Sequence, residues 1–165
     1  MKKFYIAFML SISLLSLSVV ADELDIIDTQ EIGELKLGLT QTKLKNILKC
    51  PLKLGEDAMW EADGLYHQDW EYLECGVMLD MTSSQKSSIK TIEAITITSP
   101  SRLTTPKGIG IGSSKKEVIK AYKKYINPKD SNEDTLVVGH IYGGLVFTLK
   151  DNRVTTIFLG ALVGC

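Results

Sequence analysis

Residues 60–72 hold the side chains of this sequence that are best suited to metal chemistry. His67, Asp69 and Glu71 alternate along the stretch, which places them on one side of an extended strand. Imidazole and carboxylate groups are common metal ligands. However, residues on one side of a strand stand about 7 Å apart, which is wide for three ligands of one ion. We therefore predict no metal centre and keep these three residues as an alternative metal site.

The same stretch has an aromatic side. Tyr66, Trp70 and Tyr72 lie opposite the acidic residues of the strand, and an Asp63-Gly64 pair, typical of a hairpin turn, separates them from Trp60. Two interpretations are open. The aromatic side is core and the acidic side is solvated, or the aromatic side is an exposed contact surface. In the second case the candidate partner-binding residues are Trp60, Tyr66, Asp69, Trp70, Glu71 and Tyr72.

The charges of this region are strongly one-sided. Residues 56–80 include eight acids and neither lysine nor arginine. An acidic rim of this kind would steer a basic partner towards the hairpin. The sequence therefore favours a protein partner for this region over nucleic acid, whose phosphates would be repelled.

Residues 107–129 have the opposite charge. Four lysines of this segment are spaced to lie along one side of a helix: Lys116, Lys120, Lys123 and Lys124. A solvated helix face is one interpretation. The other interpretations are contact with anionic lipid head groups at a membrane surface, with an acidic partner, or with the acidic hairpin of a second copy.

Residues 108–116 resemble a catalytic loop only at first sight. Their glycine spacing fits neither the dinucleotide pattern nor the phosphate-loop pattern. Ser113 and Lys116 form a Ser-x-x-Lys pair, but the sequence lacks the companion motifs of penicillin-recognising enzymes. Neither of the two histidines, His67 and His140, stands beside an evident nucleophile. The sequence therefore predicts a non-catalytic protein without a cofactor.

The first 21 residues have the pattern of a secretory signal peptide. Lys2 and Lys3 precede a nearly charge-free apolar run, 4–20, and Ala21 supplies the small side chain of a cleavage site. We predict removal of this segment and location in the periplasm or outside a bacterial cell, with an uncleaved anchor as the alternative. No later stretch is long and apolar enough to span a bilayer.

An exported chain meets an oxidising compartment, so its cysteines are disulfide candidates. Cys50, Cys75 and Cys165 allow three pairings. We prefer Cys50–Cys75, which would close a loop of about 25 residues and stabilise the fold by about 3–4 kcal/mol. Cys165 would then be free or would bridge two copies into a dimer. The absence of a Cys-x-x-Cys spacing disfavours zinc.

The remaining chain contains an internal repeat with an offset of 74 residues. Residues 35–44 and 109–118 both predict a short apolar strand, a glycine, a hydroxyl residue and a helix start. Ser114 and Glu117 form a capping box that fixes the second start. The later matching segments, which predict strands around a polar turn, are 76–81 with 144–149 and 90–98 with 153–160.

We therefore predict an α+β fold of two tandem repeats, each a helix followed by an antiparallel sheet. The sheets would join or pack side by side, with one face partly open as a binding surface. The predicted divisions are a signal peptide 1–21, an acidic lead-in 22–34, a first repeat 33–98, a linker 99–107, a second repeat 108–160 and a tail 161–165.

The composition agrees with a folded globular chain. The 165 residues are 44% hydrophobic and 24% charged, which excludes disorder throughout and fibrous classes. This length accommodates one domain or two small units on a shared core. The net charge of −1 excludes a generally basic nucleic-acid binder.

The repeated helix start resembles the β-lactamase inhibitory protein-like fold, whose unit occurs singly in outer-membrane assembly lipoproteins of the SmpA/OmlA type. The residues that carry the resemblance are Leu37-Gly38-Leu39-Thr40 with Leu44, and Ile111-Gly112-Ser113 with Val118 and Tyr122. The resemblance implies a protein-binding sheet face with no cofactor and no catalysis, and a paired cysteine within the unit. We expect an exported non-catalytic binding module, either an enzyme inhibitor or an envelope-assembly factor. The alternative is a periplasmic protein that binds a small ligand or metal through the 60–72 hairpin.

Overall fold

The computed structural model of the chain describes residues 31–140 and 143–161. The predicted signal peptide, most of the acidic lead-in and Cys165 lie outside the described residues. The described elements, in chain order, are β1 Glu31–Ile32, β2 Leu35–Lys36, α1 Gln41–Ile47, β3 Lys53–Leu54, β4 Ala58–Met59, β5 Tyr66–Tyr72, a 3₁₀ turn Leu73–Cys75, β6 Val77–Ser83, β7 Thr91–Thr98, α2 Lys115–Tyr122, β8 Thr135–His140, β9 Gly143–Lys150 and β10 Arg153–Gly160.

One antiparallel sheet joins β3 through β10. Its strand order is β3-β5-β6-β7-β10-β9-β8, and β4 pairs with β5 further along the same edge as β3. In the middle of the sheet β7 pairs with β10, with Ile97 opposite Ile157. The strands that follow α1 and the strands that follow α2 therefore complete a single sheet, while β1 and β2 form a separate small hairpin.

The predicted α+β fold of two helix-plus-sheet repeats is wrong. Strands account for 44% of the described residues and helices for only 14%, in two helices. Both helices are about two turns long, and Thr40 makes no side-chain cap for α1. By contrast, the five adjacent strands β5, β6, β7, β10 and β9 are seven or eight residues long and pair with one another in the middle of the sheet. Strand pairing, rather than helix packing, therefore dominates this fold.

Local sequence fixes the start of α2 and the last hairpin. The Ser114 side chain accepts a hydrogen bond from the Glu117 N–H, and the Glu117 carboxylate accepts one from the Ser114 N–H at 2.7 Å, which confirms the predicted capping box. Between β9 and β10 a tight turn places Asp151 and Asn152 at φ 52° and 59°. Asp and Asn tolerate this left-handed conformation better than other non-glycine residues.

Both helices cover the same face of the sheet. Leu44 of α1 and Val118 of α2 are fully buried in one core cluster with sheet residues such as Leu79 and Phe147. The pleat turns alternate residues to the opposite face, where neither helix lies. We call this opposite side the uncovered sheet face. Neither described helix is long and apolar enough to cross a membrane.

The structure pairs Cys50 with Cys75, which confirms the preferred pairing. Their Cα atoms are 6.1 Å apart and the bridge spans 25 residues of sequence. Cys50 follows α1, and Cys75 ends the 3₁₀ turn before β6. The disulfide therefore ties the first helix to the sheet.

A buried ion pair lies at one end of the sheet. The Lys90 side chain is only 3% exposed and its Nζ lies 2.8 Å from Oδ1 of Asp57, whose side chain is 13% exposed. Lys90 Nζ also donates to the Ser83 hydroxyl at 3.0 Å. Lys90 thereby joins the loop between β6 and β7 to the residue that precedes β4.

Candidate functional site

The β4–β5 hairpin brings an indole ring over the uncovered sheet face. Gly64, at φ +73°, allows the chain to turn, and the Trp60 N–H donates to the Leu65 carbonyl at 2.9 Å. The Trp60 ring then stacks on the His67 ring, with centroids 3.9 Å apart and planes 7° from parallel. The predicted hairpin turn is thus present, and its effect is to fix Trp60 against β5.

His67 lies between two carboxylates. Its Nε2 is 2.9 Å from Asp63, and its Nδ1 is 2.9 Å and 3.1 Å from the two carboxylate oxygens of Asp80. A carboxylate only accepts hydrogen bonds, so both ring nitrogens can be satisfied together when both carry a proton. The geometry therefore favours the imidazolium form of His67.

The electrostatics of this cluster favour the same form. Burial alone would lower the pKa of His67, but the hydrogen bonds with Asp63 and Asp80 outweigh burial and raise it above 6.5. Burial raises the pKa of Asp80, against the opposing effect of His67. The pKa of Asp63 is lowered by the Leu65 N–H and then by His67. The raised pKa of His67 and the lowered pKa of Asp63 both favour a proton on the imidazole rather than on Asp63.

A depression of about 400 Å³ opens beside this cluster on the uncovered sheet face. Its apolar lining includes Trp60, Met78, Ala94 and Phe158. Trp60 is 47% exposed and Met78 is 43% exposed. The depression therefore presents an aromatic and aliphatic surface to solvent without a covering element among the described residues.

The acidic lining of the depression comes from Asp63, Asp69, Asp80 and Glu93. Asp69 and Asp80 face each other across β5 and β6. No lysine or arginine is among the described residues that line it. With His67 protonated, four carboxylates and one imidazolium leave a net charge of −3 around the depression.

The aromatic side of β5 is core and not a contact surface. Trp70 is 7% exposed and Tyr72 is 3% exposed, because their side of the strand faces the helices. Tyr66 and Gln68 lie on this same side, and the Trp70 indole donates to the Gln68 side chain at 3.0 Å. Of the predicted aromatic contacts, Trp60 is the one that is exposed on the uncovered sheet face.

The three candidate metal ligands do not converge. His67 has both nitrogens on Asp63 and Asp80, and Glu71 pairs with Lys53 at 3.0 Å. Asp69 is exposed at the depression. Within residues 31–140 and 143–161, no group of three His, Cys, Asp or Glu side chains is arranged to hold a metal ion.

The basic residues of α2 and the segment after it are at the surface. Lys116, Lys120, Lys123 and Lys124 are all exposed. Lys116 and Lys120 belong to α2, which covers the other face, and Lys123 and Lys124 follow it; none of the four lines the depression. Their contact with lipid head groups or an acidic partner stays a prediction.

The serine–lysine pairs have structural roles. Ser113 accepts the Gly110 N–H at 3.1 Å, and Ser114 caps α2 and donates its hydroxyl to the Glu117 carboxylate at 2.7 Å within the capping box. Ser83 lies 3.0 Å from Lys90, but the Lys90 Nζ donates hydrogen bonds to the Ser83 hydroxyl and to Asp57 and so acts as a donor at this position. Ser83 instead donates to the Gln85 carbonyl at 2.9 Å.

Sequence reasoning missed most of the residues that line this site, among them Met78, Asp80, Glu93 and Phe158. Asp80 lies beside His67 because β6 pairs with β5. Met78 and Phe158 share the depression because both are opposite Thr96, on either side of β7. The Asp63–His67 contact had a local signal, since both residues flank the predicted turn. The other contacts depend on strand register, which alternation alone does not determine.

We expect His67 to stabilise the fold most at mildly acidic pH. Because its pKa is raised on folding, the folded state holds this proton more tightly than the unfolded chain does. The contribution is complete below about pH 6.5 and is lost as the pH rises through the folded pKa. Urea unfolding of the wild type and of His67→Gln should show a stability difference that shrinks towards alkaline pH.

An NMR titration of the two histidine rings checks the same point directly. A His140→Asn variant assigns the two signals, and we expect the His67 midpoint to lie above 6.5. A midpoint at or below that value would show that burial outweighs the two carboxylates. The charged groups that face His67 are Asp63 and Asp80, with Asp69 adjacent to Asp80.

Fold and site together define a strand-dominated protein with two helices on one face of its sheet and a depression on the other. No protein-family profile, no curated protein sequence and no solved structure matches the chain significantly. The function of this protein has to be inferred from its own residues and their geometry.

Proposed function

We propose that the protein is a non-catalytic protein-binding module that contacts its partner through the uncovered sheet face. The observation that carries this proposal is the solvent-facing depression of about 400 Å³. Trp60 and Met78 remain about half exposed at it. Exposed aromatic and Met side chains beside a polar rim are typical of the centre of protein interfaces.

Trp60 has the properties of a binding anchor. Its ring is stacked on His67 and its backbone is fixed in the hairpin, so it would lose little conformational freedom on binding. Tryptophan is also among the residue types that contribute most to interface affinity. A rigid, exposed indole beside a depression is therefore a suitable first contact for a partner protein.

The proposed compartment is the periplasm or the extracellular space. The positive start and apolar run of residues 1–21 support export, and the Cys50–Cys75 disulfide suits an oxidising compartment. The resemblance to β-lactamase inhibitory protein-like proteins supports a sheet face that binds protein. An inhibited enzyme and a component of the bacterial envelope are the two partner classes that we propose.

A small-ligand site is the second candidate function. The volume of about 400 Å³ falls within the range of small-molecule sites, about 300–1,000 Å³. The same residues would then hold a small molecule instead of a protein side chain. The two functions are distinguished by whether the protein retains a partner protein or a small molecule from extracts of its own cells.

We expect the tagged protein, expressed as the full chain in its own cells, to retain one saturable partner protein from envelope extracts. A Trp60→Ala/Met78→Ala variant should retain that partner at least about tenfold less well, because it removes the apolar centre of the surface. Quantitative mass spectrometry measures the retained amounts, after circular dichroism has shown that the variant folds.

The matched control is Leu73→Ala/Ile89→Ala. These residues are 65% and 66% exposed and apolar, but they do not line the depression. The control should retain the partner like the wild type. Equal loss in both variants, or a partner retained by the Trp60→Ala/Met78→Ala protein, would contradict binding through this face. A small molecule found in place of a protein would favour the second candidate.

A further inference from the structure

We infer that the depression on the uncovered sheet face receives an arginine side chain of the partner protein. This inference rests on the proposed function and specifies the chemistry of the partner. It follows from three properties of the depression: its excess of carboxylates, its apolar floor and its exposed indole.

The excess of carboxylates sets the charge of the occupant. Asp63 and Asp80 are hydrogen-bonded to His67, but Asp69 and Glu93 are exposed and form no ion pair with a described lysine or arginine. The carboxylates of Asp69 and Asp63 also add to the effect of burial in raising the pKa of Asp80. The local field is therefore negative, and a cationic group is the complementary occupant.

The floor sets the shape of the occupant. Met78, Thr96 and Phe158 are opposite one another on β6, β7 and β10, so they form a row across three adjacent strands. Neighbouring strands are about 4.8 Å apart, which makes this row about 10 Å long. The aliphatic stem of a long basic side chain can lie along such a row while its charged end reaches a carboxylate.

The combination favours arginine over lysine. A guanidinium is planar, forms paired hydrogen bonds with carboxylates and stacks on aromatic rings. The depression offers exposed carboxylates on β5 and β7, together with the exposed part of the Trp60 indole. A lysine ammonium would gain the charge interaction but neither the paired hydrogen bonds nor the stacking.

The test uses three blocked pentapeptides that differ only at the central residue: arginine, lysine or citrulline between pairs of glycines. Citrulline keeps the planar shape and removes the charge. Binding to the full-length protein is followed by NMR through the two indole N–H signals. The Trp60 signal should shift on titration, whereas the Trp70 signal, buried and bonded to Gln68, serves as the internal reference.

We expect the arginine peptide to bind more tightly than the lysine peptide, and the citrulline peptide to leave the Trp60 signal unchanged. Asp69→Asn and Glu93→Gln should each weaken arginine binding by about tenfold, since each removes a charged hydrogen-bond acceptor. Glu74→Gln makes the same change of charge at an exposed residue outside the depression, and it should have no effect.

Three results would overturn the inference: equal binding of the arginine and citrulline peptides, equal binding of the arginine and lysine peptides, or unchanged affinity in Asp69→Asn and Glu93→Gln. Its failure is distinguishable from failure of the proposed function. If a partner is captured through Trp60 and Met78 but the peptides do not bind, the protein-binding function is supported and the arginine inference is wrong. If the arginine peptide binds selectively but no protein is captured, the affinity of the depression for arginine is supported and the proposed protein-binding function is wrong.

Discussion

Replacing Asp57 by asparagine is expected to lower the free energy of unfolding by about 3–5 kcal/mol, the usual effect of breaking a buried ion pair. The substitution keeps the size of the side chain but leaves the Lys90 ammonium, 3% exposed, without its counter-charge. The remaining contacts of Lys90 Nζ are the Ser83 hydroxyl and, at 3.5 Å, the Tyr66 carbonyl. Neither of these neutral groups replaces a carboxylate 2.8 Å away.

Urea unfolding at neutral pH measures this effect. The double variant Asp57→Asn/Lys90→Met is the control, because it removes both charges and should recover much of the lost stability. A loss below about 1 kcal/mol in Asp57→Asn would place this pair with ordinary surface ion pairs.

The pH dependence gives a second check on the same pair. The hydrogen bond from Lys90 lowers the pKa of Asp57, against the effect of burial, and the Ser87 N–H adds to the lowering. The stabilisation is therefore present above the usual carboxyl pKa of 3.8 and is lost as the pH falls through the lower folded value. The difference between wild type and Asp57→Asn should disappear in strong acid.

Removal of the Cys50–Cys75 disulfide is expected to lower the free energy of unfolding by about 3–4 kcal/mol on the chain-entropy estimate. The bridge closes a loop of 25 residues that contains β3, β4 and β5. Without it, the unfolded chain gains freedom, and the short edge strands β3 and β4 lose their nearest covalent restraint. A loss of this size is a large fraction of the stability of a typical small domain.

The measurement compares the wild type with Cys50→Ser/Cys75→Ser by urea unfolding under non-reducing conditions. Cys165→Ser is the control, and it should match the wild type. A reducing agent should move the midpoint of the wild type to that of the double variant and leave the double variant unchanged. Equal midpoints of the wild type and the double variant would show that the bridge does not restrain the unfolded chain.

Local patterns predicted those elements whose cause is local. The α2 start was correct because Ser114 and Glu117 satisfy each other's backbone groups within one turn. The segments 90–98 and 153–160 were correct as strands because β7 and β10 are rich in β-branched residues. The proportion of helix to strand was not predictable in this way. Two short helices give the same start signals as long ones, so the patterns overstated the helical share.

The candidate site shows the same difference between features with a local cause and features that depend on tertiary contacts. Alternation correctly separated the aromatic and acidic sides of β5, but it could not say which side the helices cover. Trp70 and Tyr72 therefore looked equivalent to Trp60, although they are core and Trp60 is exposed. Lys90 gave no sign of burial, because its partner Asp57 is 33 residues away in sequence. Such pairings arise from tertiary contacts that no local pattern encodes.

The last described strand of the chain lies in the middle of the sheet. β10 begins at Arg153 and pairs with both β7 and β9, so the sheet cannot close until residues 153–160 have been synthesised. Until then β7 and β9 lack the partner that joins them, and contacts between such distant segments form slowly. The order of the strands thus delays completion of the sheet until β10 has been made. Before β10 is added, the chain therefore holds two separate groups of strands, β3 to β7 and β8 with β9, each with an unpaired edge.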